Sequence, residues 1–172
     1  ITITEHPTVG SSVNVTVTIK NNENEPVNST LWLYEENNSI DISETIRSRT
    51  TREYTISHPG ARMMRVHFSS INIKGNPGSC DFKIFADGQL LKSFDLGDYY
   101  NEWTDWGKGS TLKIQIETYA NISCVSFTFD KYDALLVAQP ITLPVGETNV
   151  TIPWNATKQG NHTLWIQVNE NK

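Results

Sequence analysis

Ser12-Val13-Asn14-Val15-Thr16-Val17-Thr18-Ile19-Lys20 decides the fold. Val13, Val15, Val17 and Ile19 alternate with Asn14, Thr16, Thr18 and Lys20, a period of two that turns one face of an extended strand inward and the other to water. Leu112, Ile114 and Ile116 alternate with Lys113, Gln115 and Glu117 in the same way, and Val150 with Ile152, then Leu164, Ile166 and Val168, repeat the pattern. No segment carries an apolar 3.6-residue period over the three or four turns that a packed helix needs. The chain therefore reads as all-β. Turn chemistry separates the strands at 21–26, 36–39, 75–78, Asp87-Gly88, 107–109, 144–146 and Gly160-Asn161. Short strands at this spacing suggest sandwiches.

The opening strand also holds the first of seven Asn-x-Ser/Thr sequons, at Asn14, Asn28, Asn37, Asn121, Asn149, Asn155 and Asn161. That is about twice what random placement of 16 Asn and 33 Ser or Thr among 172 residues gives, which points to a chain that meets the N-glycosylation machinery. The competing reading is that Thr-rich alternating strands generate the motif by accident. In the strands, Asn14 with Thr16 and Asn149 with Thr151 share the water-facing parity that a modifiable site requires.

A length of 172 residues holds one larger domain or two small ones, and 37% hydrophobic with 19% charged residues is an ordinary globular composition. The net charge of −5 argues against nucleic acid as a partner, because phosphate affinity needs a concentrated basic surface. No apolar run approaches the roughly 18 residues of a membrane span, and the first five residues carry no signal-peptide pattern. An exported chain would then be a mature form or an excised segment. Cys80 and Cys124 each precede an apolar-alternating stretch, so both start strands; oxidation on export would join them in a disulfide, and two buried free thiols are the alternative.

Composition shifts along the chain. All five Arg (47, 49, 52, 62, 65) lie in one stretch, and seven of the eight Asp follow in the middle section. The flanks match each other. Residues 1–45, with Val-Asn-Val-Thr-Val-Thr-Ile-Lys-Asn-Asn and Ser-Thr-Leu-Trp-Leu-Tyr, resemble the first half of the cell-adhesion-related (CARDB or APHP) surface domain, an immunoglobulin-like sandwich. Residues 140–172, with Ile141-Thr-Leu-Pro-Val-Gly-Glu-Thr, Val150-Thr-Ile-Pro-Trp154 and Gly160-Asn-His-Thr-Leu-Trp, resemble its second half, although some 90 residues intervene where that family has a short connection. The intervening part has its own likeness. His58-Pro-Gly-Ala, Cys80-Asp-Phe-Lys-Ile-Phe-Ala-Asp87-Gly88, Trp106-Gly-Lys-Gly109, Leu112-Lys-Ile-Gln-Ile and Ser126-Phe-Thr-Phe-Asp-Lys-Tyr132 are similar to a CUB-like sandwich. Together the resemblances imply two β-sandwich lobes: an immunoglobulin-like host, 1–46 and 139–172, interrupted by a CUB-like jelly-roll insert, 47–138. Sandwich termini that lie close together make such an insertion tolerable.

The CUB-like resemblance implies a Ca²⁺ site at one end of the insert. Asp81 matches one ligand position. The other two fall near Lys74 and near Tyr119 to Asn121, where the carboxylates are missing. Glu117 and carbonyls of the Asn121 loop are the available substitutes for a dication that takes six to eight oxygens, and a glycan on Asn121 would crowd them. Tyr99, Tyr100, Trp103 and Trp106 form an aromatic set beside Asp98, Glu102 and Asp105, read either as edge packing or as a stacking platform for sugars or a protein. Trp32, Tyr34 and Trp165 share a parity opposite to Leu31, Leu33, Leu164 and Ile166, so they point outward if the aliphatic rows fill the core. The Arg group is expected to pair with the neighbouring acids rather than to form an anion site. His6, His58, His67 and His162 stand in separate segments as surface or turn residues, and no catalytic motif is present.

These features predict a non-enzymatic, glycosylated module at the cell surface or outside the cell. Its partners would be copies of itself or other surface proteins, in a surface layer, filament or adhesin. Ile1-Thr2-Ile3-Thr4 is a strand able to complete a neighbour's sheet. The alternative is a carbohydrate-binding module of a secreted enzyme or adhesin.

Overall fold

The computed structural model describes residues 9–119, 125–157 and 162–170. They are all-β: twelve strands in antiparallel sheets, with no helix among the described residues. The chain divides into two compact units, unit 1 from Ile1–Glu36 with Leu135–Lys172 and unit 2 from Asn37–Ala134. The unit boundaries fall at 36/37 and 134/135, against the 46/47 and 138/139 that the resemblances imply. The reason is that two strands supply residues to both units: β2 (Val27–Ile46) continues through the turn expected at 36–39, and β10 (Val125–Leu143) continues across the 138/139 boundary. The turn read at 36–39 is instead a local twist inside β2, where Asn37 takes φ 54° and its N–H bonds the Asp133 carboxylate (2.8 Å).

In unit 1, β1 (Ser12–Asn21) pairs along its length with β11 (Gly146–Asn155), from Ser12 opposite Asn155 to Asn21 opposite Gly146. The second layer runs in the order β12 (Thr163–Glu170), β2, β10. Alternation decides which side chains meet. Val15 from β1, Ile152 and Trp154 from β11, Leu31 and Leu33 from β2 and Leu164 from β12 form the buried core, closed by Ala156. Val17, Ile19, Ile141 and Val150 pack against that core and stay partly buried.

In unit 2, one sheet runs β2, β10, β4 (Met63–Ile73), β7 (Gly97–Trp103), with the two-residue β8 (Gly107–Lys108) on β4. The other runs β3 (Thr50–Ser57), β9 (Thr111–Thr118), β5 (Cys80–Ala86), β6 (Gln89–Phe94). The two inner faces meet through rings. Phe82 of β5 lies 5.6 Å from Phe127 of β10, and Phe68 of β4 lies 5.3 Å from Phe94 of β6. Phe68, Phe82, Phe127 and Phe129 are fully buried, each contributing about 1.5–3 kcal/mol of burial free energy. Asp87-Gly88 makes the two-residue β5–β6 hairpin with φ of 42° and 82°, as a type I′ turn requires and as Asp-Gly supplies.

Candidate functional site

Period two in β4 turns Met64, Val66 and Phe68 into the core and leaves Arg65 and His67 on the other face of the sheet. Trp103 stands opposite His67 across β7, and Trp106 follows it by three residues. The Arg65 guanidinium fits between the two indoles, 4.4 Å from the Trp103 centroid and 4.7 Å from that of Trp106. Its Nε and Nη2 both donate to Asp133 Oδ2, at 2.9 and 2.7 Å. Asp133 is buried, and its other oxygen accepts the Asn37 N–H. Beside this stack His67, also buried, bonds Asp130 through Nδ1 (2.6 Å), and Lys131 lies over the remaining part of Trp103 (5.6 Å).

The expected aromatic set is thus divided. Trp103 and Trp106 each give a face to Arg65, Tyr99 packs edge-on against core Phe94 at 5.2 Å, and Tyr100 is 57% exposed with its hydroxyl near Asn72. The side alternation slips opposite Asn101, whose φ of 52° lies in the left-handed region, which is why Tyr100 and Trp103 share a face although three residues apart.

Asp81 and Glu117 are brought together, as cross-strand partners on β5 and β9. What neutralises them is Lys83, 2.9 Å from Asp81, with the Tyr119 hydroxyl spanning both carboxylates at 3.2 and 2.7 Å. The Lys83 hydrogen bond holds the Asp81 carboxyl below its ordinary range, and the bond to Glu117 pushes the Tyr119 phenol up to about 12. Among the described residues no group of three His, Cys, Asp or Glu is placed to hold a metal. The Asn121 loop, which was to complete that site, lies outside the described residues, as do Asn161, His6 and Cys124. Cys80 is half-buried at the first position of β5, so the Cys80–Cys124 pairing falls on one described partner.

The histidines correct the surface assignment. His58 sits in its turn yet is 1% exposed, with Nδ1 3.3 Å from the Tyr132 hydroxyl; His67 is buried on Asp130; and His162 bonds Glu35 at 2.8 Å with both side chains almost wholly buried. The partners lie 63 to 127 positions away, so single-chain spacing carries no trace of them. Among the Arg residues, Arg52 pairs with Glu44 and Arg65 with Asp133. In unit 1 Trp32, Tyr34 and Trp165 form a ladder of rings, centroids 6.0 and 5.6 Å apart, but of the three expected to point outward Trp165 alone is exposed (47%), Trp32 being half-buried and Tyr34 buried.

The outer face of β1 and β11 carries two sequons side by side. Asn14, Thr16, Asn149 and Thr151 are all exposed, Thr16 and Thr151 share a hydroxyl hydrogen bond (3.0 Å), and Thr18 donates to Asn149 (2.7 Å). Asn28, Asn37 and Asn155 are exposed as well. At the Ile19 end of unit 1 the core opens into a cleft of about 270 Å³, lined among others by Ile19, Asn21, Val27, Ser29, Leu143 and Val168. No helix among the described residues is long and apolar enough to cross a membrane. Comparison with protein-family models, with curated proteins and with solved structures returns no match to this chain.

Proposed function

We propose that the protein is a non-enzymatic, glycosylated structural or adhesion module of the cell surface, split into an immunoglobulin-like host and a CUB-like insert, that works by protein–protein assembly. The observation that carries this reading is the β1–β11 sheet. Among the described residues it has only two strands, so the backbone groups along its outer edges have no ladder partner, while half-buried Val17, Ile19 and Val150 lie beneath. Such an edge is a template for an added strand. The exposed sequons on the outer face of the same sheet suit a surface that sugar keeps soluble while its edge remains available.

The competing reading, a carbohydrate-recognising module, needs ring faces open to a sugar. Tyr100 and Trp165 offer exposed rings, whereas Trp103 and Trp106 are committed on one face to Arg65. Intact mass before and after deglycosylation, on native material imaged by electron microscopy, tests the assembly reading: glycan mass and ordered polymers are expected. Bare, monodisperse particles, with glycan-array binding that depends on Trp165 or Tyr100, would replace it with the second.

A further inference from the structure

The cleft at the Ile19 end of unit 1 has a mixed lining. Ile19 of β1, Val27 of β2, Leu143 of β10 and Val168 of β12 give it an apolar part, and Ser29 with the stretch from Lys20 to Glu23 gives a polar rim. Asn21 holds its mouth in shape, donating from Nδ2 to the carbonyls of Glu25 and Leu143 (both 3.0 Å) and accepting the Glu23 N–H (2.9 Å). An occupant that brings branched aliphatic side chains for the apolar part of the lining, together with backbone N–H and C=O groups for a strand edge, suits this end of the sheet. That is a β-strand, and the edge of β1, which pairs with β11 alone among the described residues, borders the cleft at Ile19.

We infer that the cleft takes the segment Ile1-Thr2-Ile3-Thr4 of a second copy of this chain, added as a strand along the edge of β1; the inference rests on the assembly reading above. Residues 1–8 lie outside the described residues, and their sequence recommends them. Ile1 and Ile3 share one parity, so both enter the apolar lining while Thr2 and Thr4 face water, and Glu5 follows where Lys20 borders the cleft. The start of its own chain is held away from the cleft: Gly10 is anchored at the far end of β1, its N–H bonded to the Ala156 carbonyl (2.9 Å), which favours a second copy as the donor.

The test uses the full chain, its Ile3→Asp variant and a synthetic peptide of residues 1–8. Light scattering over a concentration series is expected to show assembly of the parent chain and a midpoint at least tenfold higher for Ile3→Asp, with an unchanged far-ultraviolet spectrum. The peptide is expected to raise the Tm of Ile3→Asp by several degrees and to inhibit assembly of the parent. Ile3→Asp assembling like the parent overturns the strand assignment and leaves the assembly reading standing. A parent chain that stays monomeric throughout overturns assembly itself, and a peptide that then leaves Tm unmoved overturns the cleft assignment too.

Discussion

Asp133 accepts two hydrogen bonds from Arg65 on a single oxygen and one from the Asn37 backbone on the other, so a buried carboxylate has both oxygens engaged. The arrangement ties three strands together, because Arg65 is on β4, Asp133 on β10 and Asn37 on β2. Removing the guanidinium leaves the carboxylate uncompensated. Arg65→Met is therefore expected to cost about 3 kcal/mol, and the double variant with Asp133→Asn less than that, since the charge left behind is gone. Urea unfolding of the four-member cycle measures it. Arg65→Lys should recover only part of the loss, because an ammonium does not stack between two indoles as a planar guanidinium does.

Glu44 and Tyr54 make a coupled pair that sets both limbs of a pH profile. The Tyr54 hydroxyl donates to Glu44, which holds that carboxyl below its ordinary value of 4.5, with Arg52 adding to the effect. A lowered folded-state pKa gives stability that is present above the unfolded value and disappears as pH falls through the folded one. Tyr54 shifts the other way, pushed up to about 12 by burial and then by the Glu44 bond. Its contribution is complete below the unfolded value of 10.0 and disappears as pH rises through about 12. Tyr54→Phe is expected to shrink both the acid and the alkaline dependence of Tm. Glu44→Gln should remove the acid part and lower the Tyr54 titration midpoint, followed by phenolate absorbance.

Strands with strict alternation were legible: the rows of β1, β9, β11 and β12 face the way Val15, Ile114, Ile152 and Leu164 predict. So were the turns at Asp87-Gly88 and at 144–146, which need backbone that Gly adopts. What escaped was the length of β2 and β10. Polar Glu35 and Asp133 look like turn material, but each is buried with a partner distant in sequence, and no local pattern announces that partner. The Arg65 stack was hidden for the same reason. Its two Trp are visible as a pair, yet the cation between them comes from another strand.

Gly109 is a position where only glycine fits. Its φ is 119°, and a Cβ there would stand 2.2 Å from the Asp87 carboxylate, which itself accepts the Thr111 N–H at 3.0 Å. Gly109→Ala must both strain the backbone and displace Asp87 from that bond, so a loss of about 2–4 kcal/mol is expected. Adding Asp87→Ala should relieve the clash but not the φ strain. The double variant regaining full stability in thermal unfolding would show that the backbone term is negligible here.

Cys80 faces Thr118 across the β5–β9 ladder, and Cys124 follows Thr118 by six positions, just before Val125 opens β10. Six residues can span at most about 20 Å and easily return to a neighbouring strand start, so chain reach permits the two sulfurs to meet. In an oxidised protein the bridge would close a loop of some 45 residues and, by chain entropy, raise stability by about 4 kcal/mol. Alkylation of the denatured, unreduced protein is expected to add no label, and reduction beforehand to add two. If so, Cys80→Ser and Cys124→Ser should destabilise alike and the double variant no more than either alone, because all three remove the same cross-link. Two labels without reduction would make the thiols free, and the single substitutions would then act independently and cost little more than the packing of each sulfur.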